Sequence, residues 1–79
     1  MRLDKYLKVS RLIKRRTVAN EACDADKISV NEKVQRASYA VKAGDVIEIN
    51  MGRTPLKVRV LSLAESVRKE DAGQMYEAI

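Results

Sequence analysis

Residues 1–20 interleave a helical apolar repeat with charge of almost one sign, and few folds accept both. At about 100° per residue, Leu3, Tyr6 and Leu7 share one arc, and Arg2, Lys5 and Lys8 fall on a neighbouring arc. Such a segment can bury one side against a core only as an amphipathic helix whose cationic side stays in solvent. Asp4 and Lys8, four residues apart, are placed to form an ion pair along this helix, worth about a few tenths of a kcal/mol. The twenty residues hold seven cations (Arg2, Lys5, Lys8, Arg11, Lys14, Arg15 and Arg16) against the single acid Asp4, a local balance of +6. The other residues hold nine cations against ten acids, or −1, and the two parts together make the net charge of +5.

The rest of the composition sets the scale of the core. With 79 residues the chain has room for one domain and a short tail. Apolar residues make up 46% and charged residues 34%, which is the balance of a globular protein rather than of a disordered one. There is no Trp and no Phe, so the core must be built from aliphatic side chains and a few tyrosines. Cys23 is the only cysteine, which excludes an internal disulfide and fits a reducing compartment. The charged N-terminus is no secretory signal, and no apolar run approaches the length of a membrane span. A cytoplasmic protein that does not engage a membrane is the expectation.

Local patterns place the elements. Residues 10–13 break the first helix, and a second runs from about 15 to 25 with Val18, Ala19, Ala22, Cys23 and Ala25 on one face. Residues 27–30 alternate as a strand and enter the Asn31-Glu32 turn, after which residues 33–39 form a short return strand or a loop. Gly44-Asp45 marks a second turn before the strand 46–49. Leu56, Val58, Val60 and Leu61 complete a third strand, with Pro55 kept outside the sheet. Ala72, Met75, Tyr76 and Ile79 are spaced i, i+3, i+4, i+7, which predicts a helix over 68–79 with Ser66 as its N-cap. The expected architecture is α+β: two N-terminal helices packed on a small antiparallel sheet, then a short C-terminal helix. Residues 1–64 would form the domain with its third strand, and 65–79 a helical extension that packs on the core or offers Met75 and Tyr76 to a partner.

Little in the chain can do chemistry. The absence of histidine excludes His-based acid–base catalysis and His metal ligation. Cys23 falls on the inward face of the second helix, where a small apolar core residue is the better account than a reactive thiolate. Gly44 and Gly52 are isolated and form neither a dinucleotide fingerprint nor a phosphate loop. No catalytic residue, metal site or cofactor is expected, and the chain reads as a binding protein rather than an enzyme.

A solvated face would explain single lysines but not Lys14-Arg15-Arg16 where the second helix begins. The helix macrodipole is already positive there, so local stability favours Asp, Ser or Thr. Three cations at such a position, beside exposed backbone N–H groups, point to an anionic ligand. Their concentration with those of the first helix points to a nucleic acid. With few aromatics for base stacking, recognition would run through shape and backbone charge rather than sequence.

Several segments together resemble one family. Arg2-Leu3-Asp4-x-x-Leu7, Ser10-Arg11, Arg16-x-x-Ala19, Ile28-x-Val30-Asn31 and Val41-Lys42-x-Gly44-Asp45-x-Ile47 follow the pattern of the S-four-type RNA-binding domain, also called the alpha-L motif. The resemblance covers roughly residues 1–50 and implies RNA bound along the helical face. Arg2 and Arg16 match the arginines that the family most often uses on RNA. Lys5, Lys8, Arg11, Lys14 and Arg15 join them by charge and placement, and Thr17 adds either a hydroxyl contact or a stabilising group at the helix start. The family usually carries Gly where this chain has Asp26 and Glu32, so a positive φ there would be strained.

The chain is similar to short free-standing members of the family that act in bacterial ribosome-associated quality control. That likeness implies contact with large-subunit ribosomal RNA and peptidyl-tRNA on obstructed large ribosomal subunits. The factor would hold the tRNA while a tailing factor that recruits alanyl-tRNA directs template-free C-terminal extension. Other readings are a heat-shock-type ribosome-binding protein that recycles nascent-chain-bound large subunits, and an RNA-recognition subunit for an RNA-modifying enzyme. A structural ribosomal protein, or a binder of membrane surfaces or acidic proteins, would use the same basic helix.

Overall fold

The computed structural model describes residues 1–64 and 68–79. Two helices, α1 (Leu3–Val9) and α2 (Arg16–Asp24), precede strands β1 (Ile28–Val30), β2 (Lys33–Val34), β3 (Val46–Ile49) and β4 (Leu56–Val60). A 3-10 helix (Lys69–Gln74) and strand β5 (Tyr76–Ala78) follow. The sheet is antiparallel throughout, in the order β2-β1-β3-β4-β5. The expected two helices on a small antiparallel sheet are present, with five strands instead of three.

The two helices and the central strands bury the side that their period dictates, although Leu56 at the start of β4 is 42% exposed. Leu3, Tyr6 and Leu7 of α1 meet Ala19, Ala22 and Cys23 of α2 in one core with Ile28, Val30, Ile47, Ile49, Val58 and Val60 of the sheet. The inward residues of α2 are small, so the helix lies close on its neighbours. Ala25, predicted on that face, is exposed because it is the C-cap, beyond the last helical turn. Leu61 likewise falls outside β4 and is exposed.

The C-terminal segment departs most from its periodicity. Ala72 and Met75 are buried as a helical stripe requires, but Ile79 is 54% exposed. Residues 76–78 instead form β5, with Val60 opposite Tyr76 and Val58 opposite Ala78. A short helix carrying Gly73 is marginal by itself. Strand pairing satisfies the backbone of β4, which would otherwise be an open sheet edge. The Met75 carbonyl accepts the buried Tyr6 hydroxyl at 2.8 Å, joining α1 to this segment. The N-cap expected at Ser66 lies outside the described residues.

Backbone contacts also hold the start of the chain. Arg2, the N-cap of α1, provides no side-chain cap, and the first-turn amides bond to a loop instead. Leu3 N–H donates to the Tyr39 carbonyl at 2.8 Å, and Asp4 N–H to the Ala37 carbonyl at 3.2 Å. Val41 N–H returns a bond to the Met1 carbonyl at 2.9 Å. Asp45 steadies this loop by accepting from Tyr39 Oη (3.0 Å), Lys42 N–H (2.9 Å) and Asn31 Nδ2 (3.1 Å).

The β1–β2 hairpin turns through Asn31 and Glu32 at φ of 52° and 70°. Positive φ at both central residues is the two-residue hairpin geometry that favours Asn-Gly, so Glu32 is strained where Asn31 is not. Asp26, the other position where the family has Gly, also has positive φ, at 60°. Glu32→Gly is expected to stabilise the fold by about 0.5–1 kcal/mol, since the relief of left-handed strain exceeds the entropic cost of glycine. Thermal unfolding should show a rise of a few degrees. An unchanged or lower midpoint would mean that the turn bears no such strain.

Candidate nucleic-acid interface

The predicted contact residues lie along α1, the following turn and the start of α2. Lys8, Arg11, Lys14, Arg15 and Thr17 are exposed, and Lys5 is half-buried. Arg11 turns the chain between the helices with φ of 63°, a left-handed conformation uncommon for a residue with a long side chain. Arg15 is the N-cap of α2; it makes no capping bond through its side chain, and no acid stands in the first turn. Lys14 and Arg15 thus adjoin a helix end whose backbone amides lack a side-chain cap, the arrangement that attracts an anion.

One contact brings distant parts of this surface together, and it corrects the expected pairing of Asp4 with Lys8. Asp4 is only 2% exposed. Its Oδ1 accepts from Arg2 Nε at 3.2 Å and from the Lys5 backbone N–H at 2.8 Å. Its Oδ2 accepts from Arg16 Nε and Asn20 Nδ2, each at 3.3 Å, with Arg2 Nη2 farther off at 3.5 Å. Arg2 and Arg16 thus share one carboxylate, and their side chains remain 51% and 49% exposed. Burial alone would raise the Asp4 pKa. The hydrogen bonds from Asn20, Arg16, Arg2 and the Lys5 amide outweigh it and hold the carboxyl below the usual carboxylate range.

The local backbone explains why periodicity misplaced Asp4. Arg2 is extended (φ −64°, ψ 146°), so its side chain does not follow the helical arc and can fold over the first turn. Asp4 sits at the margin of the apolar arc, where the second helix covers it. Asn20 was missed as a member of the site. The available signal was its spacing of four from Arg16, which puts both on one side of α2. Asp4, Arg16, Thr17, Asn20 and Glu21 line a shallow open depression on this side.

Cys23 is 2% exposed, and burial, followed by the charges of Asp4 and Asp24, pushes its thiol up to about 11. It is a small apolar core residue without thiolate character at neutral pH. Among the described residues, no three Cys, Asp or Glu side chains are grouped to hold a metal ion. No described helix is long and apolar enough to cross a membrane.

Comparison with known proteins places this architecture. Residues 1–47 match the S4 domain family. A Streptococcus pneumoniae protein named RQC P-site tRNA stabilizing factor is 53% identical over 79 residues, spanning all of this chain and 90% of the relative. Its Bacillus subtilis namesake is 49% identical over 76 residues, covering 96% of this chain and 88% of the relative. The trimeric structure of Vibrio cholerae heat shock protein 15 superposes with a TM-score of 0.93 at 25% identity, over 100% of this chain and 81% of that one. The chain belongs to the S4 domain family, among the relatives named RQC P-site tRNA stabilizing factors.

Proposed function

We propose that this protein is a non-enzymatic RNA-binding factor of bacterial ribosome-associated quality control, acting in the cytoplasm. It would bind obstructed large ribosomal subunits, contact large-subunit ribosomal RNA and peptidyl-tRNA, and keep the tRNA in place. A tailing factor that recruits alanyl-tRNA could then extend the stalled peptide repeatedly without a template. The observation that carries the reading is the cationic flank of α1 and α2, where Arg2 and Arg16 meet on one buried acid while staying half-exposed. The names of the relatives at about half identity support the tRNA and quality-control parts of it.

The mechanism is positional. Arg2 and Arg16 grip phosphates as planar forks, and Lys5, Lys8, Arg11, Lys14 and Arg15 extend the field along the backbone. Thr17, beside Arg16 in the depression, adds a hydroxyl. The likeness to heat shock protein 15, over all of this chain and 81% of that one, favours one second reading, a factor that recycles nascent-chain-bound large subunits. Loss of alanine tails on deletion of the gene would favour the first; normal tails with accumulated blocked subunits would favour the second.

Arg16→Ala should weaken co-sedimentation with large subunits bearing peptidyl-tRNA by about tenfold, the scale of a lost charge-assisted contact. Unchanged sedimentation of the folded variant would remove Arg16 from the interface. Affinity should fall steeply as salt is raised, and Arg16→Ala should flatten the log–log slope by about 0.7–0.9. Salt-independent binding would refute the electrostatic account.

A further inference from the structure

The one acid in the first twenty residues is the feature that a simple electrostatic account of this surface cannot absorb. A carboxylate within a polyanion-binding flank repels the ligand, and an apolar side chain at the margin of the helix would pack there without that penalty. Asp4 is nevertheless 2% exposed and accepts hydrogen bonds from both helices and from the Lys5 amide. Arg2 reaches both of its oxygens, with Nε on Oδ1 and Nη2 at 3.5 Å from Oδ2, and Arg16 Nε binds Oδ2.

A guanidinium is planar with five N–H donors, and contact through Nε occupies one edge of it. The Nη donors on the far side of each fork are the ones left for a phosphate. Arginines already fixed in this way lose less side-chain freedom when they bind, which is how preorganisation strengthens association. Asn20 Nδ2, at 3.3 Å from Oδ2, ties the same carboxylate to α2, one turn beyond Arg16.

We propose that Asp4, steadied by Asn20, is a positioning residue of the RNA site: it orders Arg2 and Arg16 as a paired fork for the phosphate backbone and strengthens binding despite its own negative charge. The inference rests on the RNA reading above and deepens it. It also inverts the sign that charge alone predicts, since neutralising an acid on such a surface would otherwise tighten the complex.

The test is a double-mutant cycle read by binding to purified large ribosomal subunits bearing peptidyl-tRNA over a salt series. Asp4→Asn should lower affinity about three- to tenfold with its salt slope unchanged, because the number of cations is the same. In an Arg2→Ala, Arg16→Ala background, where nothing is left to position, the same substitution should leave affinity unchanged or raise it. Asn20→Ala should weaken binding about two- to threefold, and it carries the test if Asp4→Asn does not fold. Tighter or unchanged binding by Asp4→Asn overturns the proposal. So does an equal loss in both backgrounds, which would mark Asp4 as merely structural. If Asp4→Asn does not fold, unchanged binding by Asn20→Ala does the same. Failure of the unaltered protein to bind the subunits would instead refute the RNA reading itself and leave the inference without its basis.

Discussion

A carboxylate removed from water must be answered by donors, and the donors of Asp4 come from three places in the chain. An isolated buried charge is strongly unfavourable, and Arg2, the Lys5 amide, Arg16 and Asn20 converge on this one to offset that cost. That convergence fixes several things at once. The extended first residues fold over the first turn of α1, and α2 is held in one register against α1. The two arginines come to lie side by side although fourteen positions separate them. Other features of the helical layer, including the placement of Asn20 and the depression beside it, follow from this joint.

A second acid organises the loop that follows β2 in the same manner. Asp45 collects Tyr39, Lys42 and Asn31, and the loop it steadies supplies the carbonyls that cap α1. The core itself is made of Leu, Ile, Val, Ala, Met and Cys23 with one fully buried tyrosine, Tyr6. Burial of such side chains is favourable but non-directional, so it does not determine which loop meets which helix end. The hydrogen bonds to Asp4 and Asp45 do. The Tyr6 hydroxyl, whose pKa burial raises to about 12, plays the matching part at the C-terminal segment by donating to the Met75 carbonyl.

These relations explain which parts of the molecule could be read from its residues. The two helices and the strands around Ile28, Ile47 and Val58 carry clean periods, and the Asn31-Glu32 turn is a local signal; each is visible because a few neighbouring residues determine it. The strand at 76–78 was not, because its backbone is drawn to the open edge of β4, a partner distant in sequence, while its spacing still reads as a helix. The seven cations were legible as charge and all but Lys5 are plainly exposed. The burial of Asp4 was not, because it depends on a helix that begins twelve residues later and on an arginine outside the helical arc. The positive φ at Asp26 and the strain at Glu32 were anticipated through resemblance to a family that has glycine at both positions.

The sheet and the helices dispose of their charges differently, and this bears on how the molecule meets a polyanion. On the sheet, acids and bases stand opposite one another: Glu48 faces Lys57, and Arg59 donates to Glu77 at 2.7 Å. Neighbouring opposite charges cancel at a distance and leave that side with little net field. On the helical flank Asp4 is buried beneath two guanidiniums and Glu21 stands at the edge of the depression, while cations extend along α1 and the start of α2. A polyanion approaching from solvent therefore meets attraction concentrated on one flank, which favours a single orientation of docking before any close contact forms. The acid that makes this flank less positive also holds its two central arginines still, so long-range attraction and short-range order are divided between the exposed cations and the buried carboxylate.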